Sequence, residues 1–71
     1  MPRYFFILES SIGTMPDEQG EELPDDAAAH KVALRIAREL ADWERVNNAS
    51  VVVKTEDGRL VSEVPLNQLL N

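Results

Sequence analysis

Apolar residues run without interruption from Tyr4 to Leu8, and this aromatic and branched stretch predicts a first β-strand. Side chains in a strand alternate between the two faces of a sheet, so neighbouring residues of this stretch belong to opposite faces. Turn-forming residues follow at 10–13. Residues 14–17 are expected to return as a short second strand at the edge of the sheet, because a proline such as Pro16 suits an edge.

From Asp25 onward the apolar positions recur at spacings of three and four, which predicts one amphipathic helix. Asp25 follows Pro24 and precedes an alanine-rich stretch, so its carboxylate is expected to cap the first turn. Asn47 and Asn48 are expected to end the helix, because asparagine tolerates the left-handed exit. The predicted buried stripe consists of Ala29, Val32, Ala33, Ile36, Leu40 and Trp43.

A valine-rich stretch over residues 50–55 predicts a further strand, and residues 60–64 are its return strand. Between them stands Asp57-Gly58, a strong signal for a two-residue hairpin turn. The register that this turn implies pairs Thr55 with Leu60, Val53 with Ser62 and Val51 with Val64. A final helical turn is expected from Leu66, Leu69 and Leu70, capped by Asn67.

The order strand, strand, helix, strand, strand predicts an α+β fold. We expect a small antiparallel sheet of three to four strands, with the one helix packed on one of its faces. All 71 residues are expected to form a single domain. The side chains predicted to face the helix are Tyr4, Phe6, Leu8, Val51, Val53, Leu60 and Val64.

The opposite face of this sheet is more apolar than a face in contact with water should be. Phe5, Ile7, Val52 and Val61 belong to it by alternation, whereas a wet face ordinarily carries polar residues at such positions. Exposed apolar patches usually mark an interface, and twofold self-association is the commonest one. We therefore expect a homodimer that buries these four side chains.

The composition narrows the class of protein further. A chain of 71 residues buries only about 60% of its unfolded surface, which leaves a small margin of stability. It has no cysteine, so it forms neither disulfides nor thiolate metal sites, as is common in a reducing cytoplasm. The opening MPRYFFIL lacks the features of a signal peptide, and no apolar run is long enough to cross a bilayer. A cytoplasmic protein without a membrane segment is expected.

The net charge of −6 is concentrated in one segment. Residues 9–26 contain seven carboxylates and neither lysine nor arginine. Such acidity repels phosphate backbones, which counts against nucleic-acid binding. It favours solubility or a basic protein partner. The acidic surface expected for such a partner consists of Asp17, Glu18, Glu21 and Glu22.

The same segment matches neither a calcium-binding EF-hand loop nor a buried pair of catalytic carboxylates. When Gly20 is aligned with the invariant glycine of an EF-hand loop, the first ligand position falls on Met15, which cannot bind calcium through oxygen. A domain this small also leaves little room for a pocket around a catalytic carboxylate pair. The single histidine, His30, is expected to pair with Asp26 on the helix surface. No catalytic, cofactor-binding or metal-binding residue is predicted.

Several short motifs together resemble those of a known family. They are MPRYFF at the start, D-x-x-G-x-E-L-P-D over residues 17–25, D-G-R over 57–59 and V-P at 64–65. Their combination and order resemble a family of short bacterial proteins of unknown function, common in alphaproteobacteria. That family has no assigned activity, so the resemblance implies no catalytic or binding residue.

These observations favour a non-enzymatic protein-interaction or regulatory module that acts as a homodimer. One alternative is an inhibitor similar to small acidic antitoxin domains, which would cover a basic protein partner with the acidic segment. The other alternative is a carboxylate-based metal-binding or catalytic domain.

Overall fold

The computed structural model describes residues 1–43 and 49–66, with the backbone alone for residues 41–43. Within these residues the chain forms five strands and one helix. The elements are β1 (Arg3–Ser10), β2 (Gly13–Met15), β3 (Glu21–Glu22), α1 (Asp26–Trp43), β4 (Ser50–Thr55) and β5 (Leu60–Pro65). The predicted α+β class is confirmed, while β3 is an addition to the predicted order.

The strands form one sheet in the order β2-β1-β4-β5, and every neighbouring pair is antiparallel. The two short strands share one edge of β1. β2 pairs with residues 8–10 of β1, and β3 pairs with residues 3–4. Phe6 pairs with Val53 of β4 on one side, but on the other side it lies in the gap between β2 and β3, where no strand is a partner for its backbone. The sequence pattern did not predict β3, because two glutamates have little preference for a strand.

The core lies between α1 and one face of the sheet, and α1 packs mainly across β4 and β5. Alanines at 29, 33 and 37 are fully buried, and their small side chains let the helix approach the sheet closely. The buried residues facing them are Tyr4, Val51, Val53, Val64 and Leu66. The predicted stripe is confirmed at Ala29 and Ala33, and the half-buried Ile36 and Leu40 also pack against the core, while Val32 is half-buried.

The predicted helix cap is confirmed. Asp25 Oδ1 accepts a hydrogen bond from the amide of Ala28 at 2.9 Å, and its backbone carbonyl receives the amide of Ala29 at 3.2 Å. The side chain of Trp43 and the predicted helix stop at Asn47-Asn48 lie outside the described residues. So do residues 67–70 of the predicted final turn, of which Leu66 alone is described and is buried.

The hairpin between β4 and β5 differs from the prediction by one residue. The amide of Thr55 donates to the carbonyl of Arg59 at 2.9 Å, so the loop comprises residues 56–58. Gly58 has a φ of 91°, the left-handed conformation that closes a three-residue loop. The predicted two-residue turn and the pairing of Thr55 with Leu60 are therefore wrong.

A β-bulge at Val61 absorbs the extra residue. Before the bulge Lys54 pairs with Leu60, and after it Val53 pairs with Ser62, as predicted. The pairing of Val51 with Val64 is likewise confirmed. The bulge exchanges the faces of two residues, because a shift of one position turns a side chain over. Leu60, predicted to face the helix, lies beside Lys54 and is 56% exposed, whereas Val61, predicted to face outward, packs against the core.

Candidate functional site

The outer face of the sheet, opposite α1, carries the residues that the sequence predicts as an interface. Cross-strand partners share a face, so the register places Ile7 beside Val52, and Phe5 in one row with Lys54 and Leu60. We call Phe5, Ile7, Val52 and Leu60 the outer apolar patch. Val61 is not part of it, since the bulge turns its side chain to the core.

The outer apolar patch is partly shielded by the chain itself. Val52 is only 4% exposed, and Phe5 and Ile7 are half-buried. Gly20 lies against the Phe5 ring so closely that a Cβ at this position would stand 2.9 Å from Phe5 Cε1. Among the described elements none crosses this face, because the helix lies on the other side. The exposed apolar surface therefore comes mainly from Leu60, with contributions from Phe5 and Ile7.

Charges of both signs surround the outer apolar patch. Lys54 lies between Phe5 and Leu60 and is the cross-strand partner of both. Glu63 is the cross-strand partner of Val52. The ion pair of Arg3 and Glu22, at 3.4 Å, stands on the same face at the start of β1. This face is therefore close to electrically balanced, unlike the chain as a whole.

Asp17, from the predicted acidic surface, is a structural residue that fills the gap between β2 and β3. Its Oδ2 accepts the amide of Phe6 at 3.1 Å, and its Oδ1 accepts the amides of Gln19 at 3.2 Å and Gly20 at 3.1 Å. Partial burial raises the pKa of this carboxyl, but the three amide hydrogen bonds outweigh burial and hold the pKa below its ordinary value. Its lone pairs are thus largely occupied within the chain.

The other three predicted acidic residues have different surroundings. Arg3 uses one guanidinium nitrogen for the carbonyl of Gln19, at 2.7 Å, and another for the carboxylate of Glu22. Glu18 and Glu21 are exposed. The structure therefore does not present the four acids as one uniform surface, since two of them are engaged with neighbouring parts of the chain.

A cluster of three side chains that the sequence did not predict joins the start of α1 to the sheet. The hydroxyl of Tyr4 donates to Asp26 Oδ1 at 2.8 Å. Arg59 donates to both oxygens of the same carboxylate, at 3.1 and 3.2 Å. The hydrogen bonds from Arg59 and then from Tyr4 lower the pKa of Asp26, while the bond to Asp26 raises the pKa of Tyr4. The expected pairing of Asp26 with His30 is replaced by this cluster.

His30 instead meets a serine. Its Nδ1 lies 2.7 Å from Ser62 Oγ, across the interface between α1 and β5. A serine beside a histidine is the start of a nucleophilic pair, but a third group must orient the histidine. Asp26, one helical turn before His30, is committed to Arg59 and Tyr4. The hydrogen bond between His30 and Ser62 connects α1 to β5. Ser62 faces the helix because it pairs with Val53 after the bulge.

One open cavity at the edge of the sheet is smaller than an ordinary ligand pocket. An open cavity of about 180 Å³ lies at the β1–β2 hairpin, below the roughly 300 Å³ at which ligand pockets begin. We call it the hairpin cavity; it is lined by Leu8, Ser10, Ile12, Gly13, Thr14 and Met15, none of which is ionisable. Among the side chains of residues 1–40 and 49–66, no three His, Asp or Glu residues are grouped to hold a metal ion. Over residues 1–43 and 49–66 no helix has the length and apolar character required to cross a bilayer.

Comparison with known proteins gives one match. No curated protein and no solved structure matches the chain. One family model does match, over residues 3–67, which is nearly the whole chain and includes the sheet, the helix and the motifs at Asp17 and Asp57. The chain therefore belongs to the family described as domain of unknown function DUF6894.

Proposed function

We propose that this protein is a non-enzymatic interaction module that works as a homodimer through the outer face of its sheet. The observation that carries the proposal is the outer apolar patch, in which Ile7 and Val52 pair directly and Leu60 stands exposed beside Lys54. Only one face of the sheet has a helix over it among the described elements. A second copy would give the other face the cover that a monomer lacks.

The charges around the outer apolar patch favour a second copy over an unrelated partner. A twofold axis brings the same surface to itself, so the surface must be complementary to itself. On the outer face Lys54 lies two residues from Val52 along β4, and Glu63 lies across from Val52 on β5, so a second copy turned by 180° can bring the lysine of each copy against the glutamate of the other. A chain of 71 residues also gains proportionally more from extra burial than a large one.

Leu60→Glu is the sharpest variant for testing the dimer. Leu60 is exposed in one copy, so a charge there should leave the monomer folded while placing two carboxylates in the interface. The matched control is Ile12→Glu, which adds the same charge at an exposed apolar residue outside the outer apolar patch. Sedimentation equilibrium at micromolar concentration measures the mass of each protein, and circular dichroism shows that each is folded.

The expected result is a dimeric parent, a dimeric Ile12→Glu variant and a monomeric Leu60→Glu variant. A monomeric parent at these concentrations would end the proposal. So would a dimer that Leu60→Glu leaves intact and Ile12→Glu dissociates, because the interface would then lie at the β1–β2 hairpin.

Two alternatives have less support. A basic partner held by Asp17, Glu18, Glu21 and Glu22, as in an antitoxin-like inhibitor, would have to compete with the amides on Asp17 and with Arg3 on Glu22. A carboxylate-based metal or catalytic site would meet the same competition at Asp17. We further propose a bacterial cytoplasmic origin, on the motif resemblance and on the lack of cysteine.

A further inference from the structure

A second apolar surface lies at the β1–β2 hairpin, on the helix side of the sheet but beyond the strands that α1 covers. Leu8 and Met15 are cross-strand partners there, and Ile12 stands at the turn. Ile12 is 90% exposed and Met15 is 65% exposed. Large apolar side chains this exposed around a cavity are typical of a surface that receives another chain.

The backbone of β2 has a free edge beside this cavity. The amide of Phe6 points away from β4, toward Asp17, so by alternation Leu8 and Ser10 also direct their backbone groups toward β2. Their partners Met15 and Gly13 are bonded back to β1. Thr14, between those two, therefore directs its N–H and C=O outward. β2 ends the sheet on this side within the described residues, so Thr14 offers one donor and one acceptor to an added strand.

We propose that an extended segment of a partner protein adds to β2 as a further antiparallel strand and places an apolar side chain in the hairpin cavity. This is strand addition, in which main-chain bonds supply affinity and a pocket for alternate side chains supplies specificity. The hairpin cavity has no ionisable lining, so the inserted side chain is aliphatic. This surface is separate from the proposed dimer interface and does not depend on it.

The charge of the surrounding segment selects the partner. The exposed Glu9 is the cross-strand partner of Thr14. Residues 9–20, which include β2 and the turns on both sides of it, contain three carboxylates and neither lysine nor arginine. A second copy would bring this acidic segment against itself, which like-charge repulsion disfavours. The segment that fits is therefore one in which aliphatic residues alternate with lysine or arginine.

Two synthetic peptides test the proposal on the whole chain. One is acetyl-Lys-Val-Lys-Val-Lys-Val-Lys-amide, and the other has glutamate in place of each lysine. Titration of the ¹⁵N-labelled protein, followed by amide chemical shifts, gives both the affinity and the location. The lysine peptide should shift the amides of residues 12–15, and the glutamate peptide should not.

Thr14→Pro removes the outward N–H and leaves the bonds between β1 and β2 in place. It should raise the dissociation constant of the lysine peptide about fivefold, which is the loss of affinity expected for one main-chain hydrogen bond. Thr14→Val, the matched control, should bind as the parent does. If Thr14→Pro fails to fold, Ile12→Lys provides the second variant, because a charge at the exposed rim of the cavity should repel the lysine peptide without disturbing β2.

Four results would overturn the proposal. They are no binding of the lysine peptide at millimolar concentration, equal binding of the glutamate peptide, shifts confined to the outer apolar patch, and binding that both Thr14→Pro and Ile12→Lys leave unchanged. A Leu60→Glu variant should bind the lysine peptide as the parent does, so failure of the dimer and failure of this surface are separate outcomes.

Discussion

Asp26 and Arg59 lie 33 residues apart in the chain, yet both oxygens of the carboxylate accept hydrogen bonds from the guanidinium, at 3.1 and 3.2 Å. The hydroxyl of the buried Tyr4 completes the contact at 2.8 Å. One side chain thus joins the first turn of α1, the strand β1 and the β4–β5 hairpin. These are the three parts of the chain that must meet to close the core.

We expect Asp26→Ala to destabilise the protein more than Arg59→Met does. The side chains of Asp26 and Arg59 are both about half exposed, and exposed ion pairs contribute little. Tyr4 is buried, so removing Asp26 would leave the Tyr4 hydroxyl without a hydrogen-bond partner inside the protein. An unsatisfied buried donor lowers the free energy of unfolding more than the loss of an exposed ion pair does. Urea unfolding of the two variants gives the comparison.

Tyr4→Phe provides the control for this cluster. It removes the hydroxyl together with its need for a partner, so Asp26→Ala should cost less in the Tyr4→Phe background than in the parent. Equal costs in both backgrounds would mean that the hydrogen bond from Tyr4 to Asp26 makes no contribution to stability.

Stability should fall at acid pH in part through Asp17. Its pKa is lower in the folded protein than in the unfolded chain, so its contribution is present above the unfolded value, near pH 3.8. That contribution is lost as the pH falls through the unfolded value and then through the folded one. Protonation also relieves the repulsion within a chain of net charge −6, which acts in the opposite direction.

The measurement is therefore a difference between two proteins. Urea midpoints of the parent and of Asp17→Asn, taken from pH 7 to pH 3, should converge as the pH falls. A gap between the two midpoints that stays constant over this range would contradict the assigned role of the Asp17 carboxylate.

Gly20→Ala should be strongly destabilising. Gly20 has a φ of 71°, and a Cβ there would stand 2.9 Å from both Phe5 Cε1 and the carbonyl oxygen of Tyr4. The backbone oxygen cannot move aside, so we expect a loss of at least about 2 kcal/mol, the left-handed penalty and the clash together. Gly58→Ala is the control, because its φ is 91° and a Cβ would meet nothing within 4 Å. Thermal melts that rank the two variants equally would contradict the close packing at Gly20.

Asp25→Ala should reduce stability by about 1 kcal/mol, the usual cost of a lost helix cap. The bond that disappears is the one from the amide of Ala28 to Asp25 Oδ1. Asp25→Ser keeps an acceptor at the same place and should retain most of the stability. Superimposable urea melts of Asp25→Ala and the parent would mean that the cap contributes nothing measurable.

Calcium and magnesium should raise the melting temperature little. The Asp17 carboxylate already accepts three amide hydrogen bonds, and a cation would have to displace them. Binding at one hundred times the dissociation constant would add about 2.7 kcal/mol. A stabilisation of that size at millimolar metal, removed by Asp17→Asn, would establish a metal site in the acidic segment.

The motif over residues 17–25 has a structural explanation along most of its length. Asp17 supplies the missing partners of three amides, and Gly20 adopts a conformation and a contact that only glycine permits. Glu22 pairs with Arg3, and Asp25 caps the helix. The motif thus provides hydrogen-bond partners along the edge of β1 and caps the first turn of α1. None of these roles requires a ligand.

What the sequence by itself determined is the local structure. The apolar run at β1, the valines of β4, the three-and-four spacing of α1 and the cap at Asp25 depend on residues close together in the chain. Their propensities and periodicities act before any tertiary contact forms. The pairing of Val53 with Ser62 agrees with the prediction only because the bulge at Val61 restores the register that the longer loop shifts.

The tertiary structure decided everything that depends on residues far apart or on a shift of one position. The loop at residues 56–58 is one residue longer than the turn signal implies, and the bulge at Val61 that compensates for it moves Leu60 to the outer face. β3 forms because Arg3 and β1 offer it a partner, which no propensity of two glutamates indicates. Asp17 and Asp26 are both carboxylates of the same acidic segment. In the folded chain Asp17 accepts hydrogen bonds from backbone amides, whereas Asp26 accepts them from Arg59. Residues far away in the sequence provide these partners, so they are determined only when the sheet has assembled.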